Sequence, residues 1–195
     1  MILVPMYLLF ILLCALNIGV FFNICFVTIA VIVSFFLMSS MGGTFTGYLS
    51  EINADMPSAI EATIPLIGVT KNSLSIFSGS LNPQFYGDQR MIEAFARLPE
   101  SVTVEVILSD PSANVREHPL KEWIVARNVL VWRTTLTKSQ RHFIVSDGVH
   151  VRLETPHDSC ESKRIAVIWY DTRFLGRKFT RRFARYREKG TRLLF

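Results

Sequence analysis

The sequence predicts a two-part α/β protein: an N-terminal transmembrane helical hairpin, or a single span, followed by a soluble domain built on a mixed sheet. Three observations carry this. No Asp, Glu, Lys or Arg occurs before Glu51, and Met1 to Met38 is almost continuously Leu, Ile, Val, Phe and Ala. From residue 73 onwards, strand-like and helix-like runs alternate. The closing stretch from Asp171 to Phe195 gathers nine cations against two carboxylates, which leaves the rest of the chain slightly acidic.

The apolar run is read as a membrane anchor over residues 1–40. A helix in a globular core needs only an apolar stripe, not an apolar circumference. A secretory signal has an apolar region of about 7–15 residues behind a basic start. Here the start is Met1-Ile2-Leu3-Val4, with no basic residue, and no small-x-small site follows promptly. A single helix over the whole run would measure about 57 Å, against a hydrocarbon core of about 30 Å. Asn17-Ile18-Gly19 interrupts it, which suggests arms over Ile2–Leu16 and Val20–Ser39. Pro5 suits the first turn of the first arm. That arm is short for a full span, so it is tilted, re-entrant or packed on a partner; a single span from near Phe10 is the alternative. Asn23, Thr28 and Ser34 are either interhelical hydrogen-bond groups or tolerated small polar residues.

Residues 41–57 read as a linker, with Met41-Gly42-Gly43-Thr44 to Gly47 as a flexible exit. The positive-inside rule gives little purchase, since the first cation is Lys71. The solution without translocation keeps the basic domain in the cytoplasm. Cys14 and Cys25 fall in the apolar run and Cys160 stands alone beyond it, so the domain has no disulfide framework of its own.

The domain is expected over 58–195. Ser58-Ala59-Ile60-Glu61 reads as a capping box opening a short helix, with Ile60, Ile64 and Ile67 on one side and Pro65 limiting its regularity. Leu74–Phe77 is a strand running into Ser78-Gly79-Ser80. Tyr86–Leu98 is helical, with Met91, Ile92, Phe95 and Leu98 inward. Val102–Leu108 alternates and then becomes continuous, as a buried strand does, and Asp110-Pro111 stops it. Pro119–Arg127 suits a helix. Val129–Arg133, Phe143–Ser146, Val149–Leu153 and Ile165–Tyr170 are four further strands, and a helix from Asp171 to Lys189 closes the domain. That order gives an α/β sandwich of roughly 120 residues, enough for its own core.

On the closing helix, Phe174, Phe179, Phe183 and Tyr186 read as an aromatic stripe against the sheet, with the arginines solvated. The cations, Arg177 and Arg181 among them, also suit anionic lipid headgroups or nucleic acid. Several chemistries are excluded by their missing signatures. There is no Cys-x-x-Cys, His-Glu-x-x-His, Walker-type loop or Gly-x-Gly-x-x-Gly, so neither a metal nor a cofactor is expected. Ser78-Gly79-Ser80 is turn chemistry.

Two strings, taken with the order of elements, resemble one half of the phospholipase D superfamily across roughly residues 58–190. The first is Leu74-Ser-Ile-Phe-Ser-Gly-Ser-Leu-Asn-Pro-Gln-Phe-Tyr86, and the second is Gln140-Arg-His-Phe-Ile-Val-Ser-Asp-Gly148. Active members of that superfamily carry His-x-Lys-x-x-x-x-Asp-Gly at the second, with the His as phosphoryl nucleophile. Here Asp147 and Gly148 match, His142 falls where the family has Lys, and Gln140 falls where it has the nucleophile. The family's downstream Gly-Ser-x-Asn is absent; Val149-His-Val-Arg-Leu-Glu154 follows instead. A Gln amide cannot become a phosphoenzyme, and a neutral His is a weaker phosphate clamp than Lys. The resemblance therefore implies broken catalytic machinery.

If any catalysis survives, the candidates are His142, Asp147 and His150; for anion binding they are His142, Arg152, Arg177 and Arg181. Arg152 and Glu154 share a strand face, so an ion pair in the old phosphate pocket is expected. His157-Asp158 is either an imidazole with its orienting carboxylate or a chance neighbour, and His118 reads as a loop residue. Three functions compete. One is a membrane-anchored, non-catalytic binding or scaffold protein; another is a membrane-bound phosphodiesterase of phospholipid or nucleic acid with a rearranged site. The third is an accessory subunit of a membrane complex. The expected partners are membrane lipids and a second copy or other membrane subunits, because each family half pairs with another half; nucleic acid is a further candidate.

Overall fold

Residues 48–53, 55–134, 141–155 and 165–194 are described by a computed structural model. The hairpin expected over 1–40, with its Asn, Thr, Ser and Cys residues, lies outside them, as do Met41–Gly47, Gln140, His157, Asp158 and Cys160. Among the described residues no helix is long and apolar enough to cross a membrane.

Short apolar runs separated by helices fold into a mixed sheet. Its elements in chain order are β1 (Tyr48–Asn53), α1 (Met56–Gly68), β2 (Ser73–Ser78), the single turn α2 (Pro83–Tyr86), α3 (Gln89–Ala96) and β3 (Thr103–Leu108). There follow a 3-10 turn (Val115–Glu117), α4 (Lys121–Ala126), β4 (Leu130–Arg133), β5 (Phe143–Ser146), β6 (His150–Glu154), β7 (Ala166–Tyr170), α5 (Arg173–Glu188) and β8 (Thr191–Leu193). The eight strands among the described residues run in the order β1-β7-β6-β5-β2-β3-β4-β8. β2, β3 and β4 are parallel, joined by helical crossovers, and every other pair is antiparallel.

The central strands are apolar on both sides because both sides are covered. Leu74, Ile76, Val104, Val106, Val131 and Ile144 face one core, shared with α1, α3 and α4. Phe77, Ile107, Phe143, Val145 and Val151 face the other, where Phe179 and Phe183 of α5 close over them. Phe143 is the hub of that second core, with ring centroids 5.2 Å from Phe77 and 5.0 Å from Phe179.

The structure corrects several expectations. β1 occupies much of the stretch read as linker and pairs with β7, so the domain begins well before Ser58. α1 is capped by Asp55, whose Oδ1 accepts from the Ser58 N–H at 2.8 Å; Ser58 is inside the first turn, behind Pro57. The helix expected over Tyr86–Leu98 is broken at Gly87. A Cβ there would lie 2.4 Å from the Pro83 carbonyl oxygen and 2.8 Å from Pro119 Cγ, so only glycine fits, and Asp88 caps a new helix. β8, which the sequence did not suggest, returns antiparallel along β4. The aromatic stripe excludes Phe174: five residues place it about 140° around the helix from Phe179, and it is exposed while Phe179 and Phe183 are buried.

Asp147 and Gly148, at φ 52° and 66°, turn β5 into β6. The Val149 N–H donates to the Ser146 carbonyl at 3.1 Å, so Asp147 and Gly148 are the central residues of a β-turn inside the three-residue loop between the paired Ser146 and His150. α5 lies directly on this turn: a Cβ at Gly176 would fall 1.9 Å from the Gly148 carbonyl oxygen.

Candidate functional site

Register alone assembles the site. Phe77 pairs with Phe143, and Phe143 with Leu153. The next residues at that edge are therefore Ser78 and Gly79 leaving β2, His142 entering β5, and Glu154 leaving β6. The Glu154 N–H donates to the His142 carbonyl at 2.9 Å, which extends the pairing by one step. This edge holds the carboxyl ends of the parallel strands, where open α/β sheets place their ligand sites.

Three side chains interlock there. The His142 Nδ1 lies 3.2 Å from Glu154 Oε2, and Arg152 Nη1 donates to Glu154 Oε1 at 2.6 Å. An ionised carboxylate only accepts, so Nδ1 carries the hydrogen and the other ring edge faces Gly79. A Cβ on Gly79 would stand 3.3 Å from His142 Cε1 and Nε2. Arg152 is 3 % exposed and Glu154 9 %. The Arg152 guanidinium also stacks on the Phe85 ring at 4.8 Å.

The electrostatics follow from this closeness. Burial on its own would raise the Glu154 carboxyl, but the hydrogen bond from His142 and the charge of Arg152 outweigh it and hold it far below the usual carboxylate range. Tyr86, buried beside the pair, is pushed strongly up, first by burial and then by the Glu154 charge, so its hydroxyl stays protonated. The result is a buried, ionised carboxylate flanked by an imidazole and a guanidinium.

The other candidates lie elsewhere. Asp147 is at the far end of β5, about 16 Å along the strand from His142. Its Oδ1 accepts from the N–H groups of Asn72 and Ser73, at 2.8 and 2.9 Å, and its Oδ2 from that of Lys71 at 2.8 Å. Partial burial raises this carboxyl, and the three backbone donors more than reverse that, leaving it below its ordinary value. His150 pairs with Ser146 and is about 13 Å along β6 from Glu154. Its Nδ1 accepts from the Asp171 N–H at 3.1 Å, and its ring lies against Tyr170. Arg177 and Arg181 are on the exposed side of α5, which packs on the opposite face of the sheet from Arg152. Of the anion-binding candidates, then, His142 and Arg152 share Glu154, while Arg177 and Arg181 neighbour each other on α5, away from that pair.

His118 lies in a loop, as expected, but the sequence did not show what its ring does there. It is buried, with Nε2 2.6 Å from the Leu81 carbonyl, while Nδ1 accepts from the Leu120 N–H at 3.0 Å. That pattern fixes a neutral ring protonated at Nε2. Burial holds its pKa below the ordinary value, against the opposing pull of the Leu81 hydrogen bond. The ring thereby clamps the turn after β2, where Leu81 sits at φ 56°. Among the described residues no group of three or more His, Cys, Asp or Glu converges to hold a metal ion.

No protein-family model matches the sequence, and no curated protein does. Solved structures match it. Nuc from Salmonella typhimurium, described as a phospholipase D family member, is 14% identical with a TM-score of 0.56, over 74% of this chain and 99% of its own. NucT from Helicobacter pylori is 13% identical with a TM-score of 0.56, over 73% of this chain and 98% of its own. TrmBL2, an archaeal chromatin protein described as showing a novel mode of DNA binding, is 14% identical with a TM-score of 0.55, over 98% of this chain and 72% of its own. At such identities the likeness is one of fold, and on it the domain built on β1 to β8 has a phospholipase D-like fold.

Proposed function

We propose that this chain is a membrane-anchored, non-catalytic phospholipase D-like protein that serves as a binding or scaffold subunit of a membrane complex. The observation that carries this reading is Glu154. Its carboxylate accepts from both His142 Nδ1 and Arg152 Nη1 and already offsets the guanidinium charge. A phosphodiester entering there would meet a resident negative charge, and the two groups best able to hold it would first have to release their partner. The superfamily mechanism also calls for two imidazoles at one centre. Gln140 takes the nucleophile's place in the sequence, so a paired second copy would bring no imidazole from that position either, and His150 stands at the opposite end of the β5–β6 hairpin from His142. The charge-free stretch before Glu51 supports the anchor.

The test is purification of the intact chain from membranes in mild detergent. Companion subunits, or a stable oligomer of this chain, are expected; a lone monomer contradicts the scaffold role. Cleavage of a generic phosphodiester by the purified protein, lost in His142→Ala, would overturn the non-catalytic reading.

A second reading has one observation in its favour. The hydrogen bond between His142 Nδ1 and Glu154 is the geometry by which a carboxylate orients a reacting imidazole. On this reading the chain is a membrane-bound phosphodiesterase of phospholipid or nucleic acid with a rearranged site. Trapping of phosphohistidine at position 142 with labelled substrate would establish it.

A further inference from the structure

The outward face of α5 is a row of cations with one aromatic ring in its midst. Arg173, Arg177, Arg181, Arg185 and Lys189 recur every four residues, a row about 24 Å long. Lys178 lies beside it, and all six side chains are exposed. Phe174, 47 % exposed, projects in nearly the same direction as Arg181 and Arg185. Glu188 is the one carboxylate on that face of the helix.

Two other cations of the helix are engaged with side chains of the domain. Arg187 Nη1 donates to both oxygens of Glu105, at 3.0 and 3.1 Å, and Arg182 Nε donates to the Tyr186 hydroxyl at 2.6 Å. Among the described residues no carboxylate lies within ion-pair distance of the six outward ones. The row works against the helix that bears it. Each like-charge pair at four-residue spacing destabilises a helix, and Arg173 adds a cation to the positive end of the helix dipole, where the first turn has no acidic residue. The core contacts of Phe179 and Phe183 hold α5 in place despite this. An arrangement that opposes its own helix is matched by a partner that supplies the missing negative charge.

We infer that this face of α5 docks on the headgroups of an anionic lipid surface. A polyanion is required by the charge. A bilayer is favoured over a nucleic-acid duplex by Phe174, because an aromatic ring set among cations suits the headgroup level of a membrane, whereas a duplex phosphate backbone offers it nothing apolar; over a single strand it is favoured by the charge-free stretch before Glu51. The inference rests on the anchored reading in one respect. The apolar run ends at Met38 and β1 begins at Tyr48, so the nine residues between them span at most about 30 Å. A tether of that reach raises the frequency with which α5 can come within the Debye length, about 8 Å, over which basic residues are attracted to anionic leaflets.

The experiment uses the full chain carrying p-benzoylphenylalanine in place of Phe174, with vesicles of phosphatidylcholine alone or mixed with phosphatidylserine. Flotation reads membrane attachment, and photo-crosslinking reads lipid adducts at position 174. Flotation with both vesicles is expected, with roughly fivefold or more adduct on the mixed ones. High salt should abolish that excess, and Arg181→Gln should lower it by about fivefold. Flotation with both but equal adduct yields would overturn the inference and leave the anchor standing. Flotation with mixed vesicles alone would uphold the inference and overturn the anchor. Flotation with neither would overturn both. Retention of a duplex oligonucleotide that depends on Arg177 and Arg181, with adduct yields indifferent to phosphatidylserine, would assign the face to nucleic acid instead.

Discussion

The β5–β6 hairpin carries a carboxylate at each end, and the two are held in opposite ways. At the turn, Asp147 accepts three backbone N–H groups from the segment joining α1 to β2. At the open end, Glu154 is buried between two side chains, His142 and Arg152. The first arrangement ties backbone to backbone and needs only a short acidic residue at a turn. The second places a charge in the interior, where it is tolerated only while both neighbours stay. The resemblance to phospholipase D-like sequences is kept at the first end and departs from the family at the second. The Asp-Gly string thus has a folding role of its own, independent of any chemistry at the other end.

The comparison is broken most severely by removing one partner of the buried charge. Arg152→Ala strands Glu154 and should cost about 3–5 kcal/mol, read as a lower urea midpoint of the detergent-solubilised chain. The pair Arg152→Met with Glu154→Leu should restore most of that loss, since an apolar replacement of a buried ion pair is often near neutral. If the double variant is no better than the single one, Glu154 is not the reason for the cost.

At the other end, Asp147→Ala leaves three backbone donors to find water and should cost about 1–3 kcal/mol. Asp147→Asn keeps one acceptor oxygen and should cost less. Asp147→Gly keeps the φ of 52° but none of the acceptors, and a loss near zero in that variant would mean that the turn, not the carboxylate, sets the stability there.

Acid should separate three groups. His118 is held neutral by burial, with its folded pKa below the unfolded one. Its contribution is therefore complete above about pH 6.5 and declines below it, as the unfolded chain takes up the proton. Asp147 and Glu154 are also held below their unfolded values. Their stability is present above the ordinary carboxylate range, near pH 4, and is lost as pH falls through the folded values, Glu154 last. Urea midpoints against pH should show two stages of loss, each at most about 1.4 kcal/mol per pH unit per group. In His118→Gln the first stage should vanish; its persistence would assign that stage elsewhere.

The smallest effect is expected at Gly79. Gly79→Ala brings a methyl group to 3.3 Å from the His142 ring, which must give by a few tenths of an ångström. Stability should change by less than about 1 kcal/mol. The imidazole nitrogen resonances of His142 should nonetheless move, and unchanged resonances would show that the ring does not rest on Gly79.

The strands that form the centre of the sheet were legible because they are buried on both sides and read as unbroken apolar runs; Val106–Leu108 and Phe143–Val145 are examples. The edges were not. β1 contains Glu51 and β8 contains Arg192, and an edge strand of a few residues with a charge has no periodicity to detect. The break at Gly87 was not read because the groups that forbid a side chain there, the Pro83 carbonyl and Pro119, close on it only once α2 has formed and packed. Arg152 and Glu154 could be placed on one face because they are two positions apart on a strand. Their meeting with His142 depends on strand register, and that of Arg152 with Phe85 on the packing of α2, so neither could be read locally. Phe174 was misplaced because aromatic residues were grouped by type, while a spacing of five turns the ring away from its neighbours.

The contact between Gly176 and the carbonyl of Gly148 bears on how this protein can change over time. Two positions 28 residues apart share one steric requirement, since no side chain at 176 can be accommodated without lifting α5 from the hairpin turn. Gly176 should therefore tolerate as little variation among relatives as a reacting group would, though it does no chemistry. A list of invariant positions drawn up for this fold would mix such points of contact with points of function. Only the geometry separates the two.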